Sequence, residues 1–224
     1  MGMESVQIVR SRRKTIAIQI TPDGQVILRL PLTYPKAKIP EILAQYHNWI
    51  EEKVQKFQTQ KKQVPQHKFS EGETFLYLGK EYPLHLTHQT SQPLFWNEDG
   101  FWLRKTDPEQ ARKWFLSWYQ EKALAYFTER ARAFEKKFTH QTYQIKLSNA
   151  RSRWGSCSSR GVIRLSWRLI MAPPDIIDSV IVHELAHFVH PNHSKEFWNL
   201  VSTEYPDYKK ARRWLRNFGH LLVI

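Results

Sequence analysis

Cysteine is nearly absent from this chain of 224 residues, Cys157 being the single one. An internal disulfide is therefore excluded, and no Cys-x-x-Cys pair exists to build a thiolate metal site. No stretch approaches the roughly 18 uninterrupted apolar residues that a membrane helix needs. The opening residues Met-Gly-Met-Glu-Ser-Val lack the apolar core of a signal peptide. Val6 also stands where a myristoylation motif starting at Gly2 needs Ser or Thr. These absences lead to the expectation of a soluble, cytoplasmic protein without a membrane contact. No internal repeat is evident. Acidic residues are short as well, 21 Asp and Glu against 34 Lys and Arg, which leaves a net charge of +13.

The chain has ample material for a core. Its apolar content is 41% with nine tryptophans, which places it among folded globular proteins, and the length allows one domain or two small ones. Residues 5–32 alternate in short runs. Two of these, Thr15–Ile20 and Gln25–Leu30, flank Thr21-Pro-Asp-Gly24, a β-turn sequence that predicts a hairpin. From Lys36 to about Lys62 the spacing of Ile39, Ile42, Leu43, Tyr46, Trp49, Ile50 and Val54 predicts one amphipathic helix. Strands are expected in 73–78, 81–86 and around 101–104. A capped, proline-led start at Thr106-Asp-Pro-Glu opens a long helix to about Lys137, with Trp114, Phe115, Trp118, Leu124, Phe127 and Phe134 as its core stripe. Strands at 143–147 and 161–167 follow, the second entered through a loop from Gly155 to Gly161. Three helices are then expected: 175–189, Ser194–Tyr205 and Asp207–Phe218.

One of those helices carries His183-Glu184-Leu185-Ala186-His187, followed by His193. Histidines four apart project from one helix face about 6 Å along the axis, so their rings can meet at one metal ion. Glu184 is placed to take a proton from a metal-activated water rather than to bind the metal. A five-residue match alone is weak, because H-E-x-x-H arises by chance. Three features strengthen it. Pro173, Pro174 and Asp175 open a helix there. Its apolar positions Ile177, Val180, Ile181, Leu185 and Phe188 recur at helical spacing, so it should be buried. Unpaired polar groups in such a helix cost about 1–3 kcal/mol each and need a partner. Third, the turn His-Pro-Asn-His at 190–193 brings in a further ligand. His190 lies too far along the axis from His183, whereas Pro191 and Asn192 reverse the chain and let His193 swing back. His193 is favoured as third ligand, with Glu196 the alternative.

The segment 182–198, Val-His-Glu-Leu-Ala-His-Phe-Val-His-Pro-Asn-His-Ser-Lys-Glu-Phe-Trp, resembles the metal-binding segment of YgjP-like metallopeptidases, relatives of the SprT-like and WLM zincins. The upstream block 153–174, with Trp154-Gly-Ser-Cys157, resembles the same family's signature. The resemblance is close over roughly the last third of the chain. It implies zinc on His183, His187 and His193, Glu184 as general base, and a peptide or protein substrate. It also implies that Val162–Trp167 is an edge strand along which a peptide pairs, the plain alternative being an interior strand. The fold class expected is α+β: a β-rich N-terminal region with one helix over 1–105, then a compact zincin-like catalytic domain over 106–224.

Basic residues gather at 10–14, 151–168 and 209–216. Arg151, Arg153 and Arg164 border the metal segment and are candidates for substrate binding, while a solvated cationic surface is the plain reading of each run. Such charge suits acidic peptides, nucleotide phosphates or nucleic acid. Two competing readings follow: a metal-dependent phosphohydrolase with arginines on the phosphates, or a nucleic-acid-associated protein with a structural zinc. A structural site would close with four protein ligands, and only three are evident. Tyr205, Tyr208, His220 or an arginine could stabilise an oxyanion. Cys157 reads as a packing residue and Trp154 as core or pocket wall.

Overall fold

The computed structural model describes residues 6–21, 24–138 and 142–224. The chain forms two compact units, Met1–Val64 and Pro65–Ile224.

In the first unit, β1 (Val6–Ser11), β2 (Ala17–Ile20) and β3 (Val26–Pro31) form a sheet in the order β1-β3-β2, with β3 parallel to β1 and antiparallel to β2. Alternation sets the buried face, since Val26, Leu28 and Leu30 are buried and their neighbours are not. The expected β2–β3 hairpin is present: Ile20 pairs with Val26, and Thr21 N–H donates to the Gln25 carbonyl at 2.9 Å. Pro22 and Asp23 of its turn lie outside the described residues. The helix expected over 36–62 is two, α1 (Ile39–Gln45) and α2 (His47–Gln63), divided at Tyr46. Neither Pro nor Gly marks the division, so spacing alone could not reveal it.

The second unit opens with β4 (Thr74–Tyr77), β5 (Lys80–Thr87), β6 (Leu94–Asn97) and β7 (Gly100–Arg104), ordered β4-β5-β7-β6. The 28-residue helix α3 (Pro108–Glu135) follows, with the Asp107 carboxylate accepting from Gln110 N–H at 3.0 Å. Its buried stripe is Ala111, Phe115, Trp118, Tyr119, Ala123, Phe127 and Ala131. Leu124, expected in the core, is 43% exposed, because it stands one residue, about 100°, past Ala123. Phe75 stacks on Phe115 with centroids 4.3 Å apart, and the Tyr119 hydroxyl donates to the Leu76 carbonyl at 2.6 Å. This packing explains why the units divide at 64/65 and not at the expected 105/106: strands 74–104 bury their aromatic face on the helix that follows them.

The second unit then builds another sheet from β8 (Gln144–Ser148), β9 (Gly155–Cys157) and β10 (Val162–Ser166), in the order β8-β10-β9. One reading needs correction here: Gly155–Cys157, taken as loop, is a strand. Of the two readings left open for Val162–Trp167, edge or interior, the interior one holds, with β10 parallel to β8 and antiparallel to β9. After a 3-10 stretch at Trp167–Met171 come α4 (Pro174–Ala186), α5 (Lys195–Glu204) and α6 (Tyr208–Phe218). Pro173 stands at the N-cap of α4, with Pro174 at its first position and Asp175 in its first turn. Among the described residues no helix is long and apolar enough to cross a membrane. The architecture is α+β.

Candidate metal centre

Helix α4 is buried along most of its length, including Ile177, Ile181, Val182 and Leu185, so its position is set by packing. Asp178 fixes it further. The Arg130 guanidinium on α3 donates twice to this carboxylate, Nε to Oδ1 at 2.8 Å and a terminal nitrogen to Oδ2 at 2.6 Å. His183 and Glu184 leave the last turn of α4, and His187 is its C-cap. The chain then reverses before α5, as Pro191 and Asn192 suggested, and brings His193 back.

Ligand nitrogens of His183, His187 and His193 all lie within 4.8 Å of one another. The Nε2 atoms of His183 and His193 are 3.1 Å apart. Two nitrogens at 2.0–2.1 Å from one tetrahedral ion would be about 3.3 Å apart, so the spacing fits shared ligation. His187 is oriented by its Nδ1, which lies 3.2 Å from the His190 carbonyl. A proton on Nδ1 leaves Nε2 with a free lone pair, the usual arrangement behind a metal-ligating imidazole. Burial pushes the pKa of His183 down to about 3, with His187, His193 and Arg212 adding repulsion. Burial also lowers that of His187. Both rings are therefore neutral near pH 7, the form that binds metal. The donor set fits zinc. Glu196, the alternative ligand, is exposed in the first turn of α5 and outside the cluster, bonded to Ser194 at the helix start.

Glu184 is only 5% exposed, and burial pushes its pKa up to about 8, with Arg153 opposing. Its carboxylate has no hydrogen bond or ion pair among the described residues. Gly155 on β9 makes room for it: a Cβ there would lie 2.7 Å from Glu184 Cγ and Cδ, and closer still to Oε1. Only glycine fits. The Trp-Gly pair thereby acquires a second reason, because a Cβ on Gly219 would lie 2.5 Å from the Trp154 ring. Cys157, in the same strand, has its thiol pushed up to about 11 by burial and by Glu184. It stays protonated at neutral pH, as expected of a packing residue.

Aromatic rings frame the histidines. The fully buried Phe197 lies 5.0, 4.6 and 4.8 Å from the rings of His183, His187 and His193. Trp198 stacks on His193 at 5.6 Å and on Tyr208 at 5.5 Å. Phe197 and Trp198 carried no sequence signal beyond their place one turn past Ser194. A cavity of about 220 Å³ adjoins the cluster, walled by Trp154, Val180, Val201, Tyr208 and Leu215, with His183, Glu184 and Arg212 at its polar side. None of the arginines singled out earlier lines it. Arg153 is exposed but its charge reaches Glu184. Arg151 and Arg164 are exposed away from the cavity, Arg164 on the face of β10 opposite the buried Ile163 and Leu165. Of the oxyanion candidates, Tyr208 lines the cavity, His220 does not, and the Tyr205 hydroxyl donates to the Asp175 carbonyl at 2.6 Å.

A family model described as YgjP-like, metallopeptidase domain, matches residues 14–218. No curated protein and no solved structure matches the chain.

Proposed function

The chain belongs to the YgjP-like metallopeptidase family, and from that premise we propose that it is a zinc-dependent peptidase in which His183, His187 and His193 hold the ion and Glu184 is the general base. The observation that carries the reading is the convergence of three imidazoles, two of them held neutral by burial, beside a buried carboxylate that has no protein partner. Zinc bound there supplies a Lewis acid and a water acidified to a pKa of about 7. Glu184 then takes the proton of the attacking water and returns it to the leaving amine. Its burial keeps bulk water from competing for the proton, and the charge of a bound zinc would favour the ionised form that accepts it. Tyr208 is the candidate to steady charge developing on the carbonyl oxygen.

A peptide would lie along β9 in this reading. Backbone bonds Ser158 N–H to Val162 O at 3.0 Å and Ser166 N–H to Trp154 O at 2.8 Å bracket the β9–β10 pair. Trp154, Ser156 and Ser158 thus turn their amides toward β10, and by alternation Gly155 and Cys157 turn theirs to the open edge. That edge runs beside Glu184, so an added strand would pass the reacting carboxylate.

The cavity of about 220 Å³ suits one side chain and is below the roughly 300–1,000 Å³ of pockets that enclose small ligands, which favours peptide over nucleotide. The test runs one zinc-loaded preparation against unstructured peptides and nucleoside triphosphates in parallel, with Glu184→Gln as control. Peptide cleavage that Glu184→Gln abolishes, with triphosphates only weak inhibitors, is expected. Rapid triphosphate hydrolysis that disappears in Glu184→Gln, without peptide cleavage, would replace the peptidase by a phosphohydrolase.

A further inference from the structure

Arg212 stands on α6, two helices beyond α4, yet in the wall of the cavity that His183 and Glu184 share. Its guanidinium carbon lies 4.8 Å from the centroid of the Trp198 ring, the same ring that stacks on His193 and Tyr208. A guanidinium laid on an aromatic face keeps its N–H groups in its own plane, free at the edges, which is the geometry for a two-pronged grip on a carboxylate. No ion pair occupies Arg212 among the described residues, and its charge is felt at His183. The rest of the wall is mostly apolar: Trp154, Val180, Val201 and Leu215. The cavity therefore presents one solvent-exposed cation, laid on the Trp198 ring and without an ion-pair partner among the described residues, at the edge of a mostly apolar wall beside His183 and Glu184.

From this arrangement we infer that Arg212 determines specificity, selecting a substrate that carries a carboxylate in the cavity beside the scissile bond. The inference rests on the peptidase reading for the identity of that bond. The carboxylate has two possible sources, an acidic side chain or the free C-terminus of a peptide, and both present the same planar anion to the same fork. Arg151 and Arg164, the arginines that the sequence pointed to, take no part, since neither lines the cavity.

Binding is measured on the zinc-loaded full chain carrying Glu184→Gln, so that peptides are not consumed. Three fluorescent peptides of one sequence are compared: Glu at the tested position with an amidated C-terminus, Gln there with a free C-terminus, and Gln with an amidated C-terminus. At least one carboxylate-bearing peptide should bind about tenfold tighter than the double amide, the worth of one charge-assisted contact. Which of the two does so identifies the source. The additional substitution Arg212→Gln should bring the ratio near unity and Arg212→Lys should keep part of it, with zinc content and melting temperature reported for each. An equal affinity for all three peptides, or a preference that survives Arg212→Gln, overturns the inference. So does a nucleoside triphosphate that binds tighter than every peptide and depends on Arg212. A preserved carboxylate preference in a wild-type protein that cleaves no peptide would sink the peptidase reading while leaving Arg212 its role.

Discussion

Asp178 and Glu184 stand on the same helix, about 9 Å apart along its axis, and both carboxylates are buried, 8% and 5% exposed. Their surroundings differ in one respect. Asp178 receives two hydrogen bonds from Arg130, so its charge is compensated within the protein. Glu184 receives none, and its pKa climbs to about 8. A buried acid with a partner holds the structure in place. A buried acid without one is held ready for something that arrives from outside, at a cost in stability that the first acid helps to offset. The three histidines beside Glu184 share its condition: two are kept neutral by burial, and none is paired with an acid among the described residues.

Substitutions at the two carboxylates should separate those roles. The largest effect is expected at Glu184: Glu184→Gln keeps the shape and the zinc but lowers hydrolysis about 10²–10⁴-fold, as read by steady-state rates with metal content measured on the same sample. Asp178→Ala should do the reverse. It strands Arg130 and should cost about 3 kcal/mol of stability in urea unfolding, with activity per folded, zinc-loaded molecule close to wild type. If Asp178→Ala instead abolished turnover without lowering stability, the contrast between the two acids would be false. Gly155→Ala should come next, since the added methyl displaces the Glu184 carboxylate; a misplacement of about 1 Å is worth about 10²-fold in rate, with zinc retained.

The Glu184 side of this contrast was legible in the sequence, whereas the pairing of Asp178 with Arg130, 48 residues away on another helix, was not. The spacing of His183, His187 and His193 pointed to the three-histidine cluster because helical periodicity and one Pro-Asn reversal fix where those side chains go. The hairpin, the capped start of the long α3 and the helix beginning at Ser194 were legible for the same local reasons. Strand order was not. The pattern of Val162–Trp167 left edge and interior positions open, and Gly155–Cys157, which takes an end position in the sheet, is too short to show an alternation of its own. Gly155 and Arg212 were invisible for a related reason. A glycine that admits a carboxylate and an arginine that enters a cavity from another helix leave no pattern in their own segments. The boundary at 64/65 was missed because Phe75 and Phe115 join strands to a helix forty residues on.

A smaller effect should appear in the metal-free protein as a pH dependence. Glu184 holds its proton up to about pH 8 when folded but only to its ordinary value of 4.5 when unfolded. Its contribution is present below pH 4.5 and is lost as pH rises toward 8. His183 acts in the opposite direction: neutral down to about pH 3 when folded, it favours the folded state above its ordinary 6.5 and loses that contribution as pH falls. Metal-free wild type should therefore lose stability relative to Glu184→Gln in thermal melts as pH rises from about 4.5 to 8, and the two should weaken alike only below 4.5. Parallel curves across pH 4.5–8 would show that Glu184 is not buried without a partner.

Metal content tests the central claim most directly. Elemental analysis of purified wild type and Glu184→Gln should give about one zinc per chain, the stoichiometry of a single three-histidine site. The double variant His183→Ala/His187→Ala should contain none, His193→Ala should bind more weakly, and Glu196→Ala should match wild type. Full zinc occupancy in the double variant, or loss of zinc on Glu196→Ala with His193→Ala unaffected, would contradict the site described here.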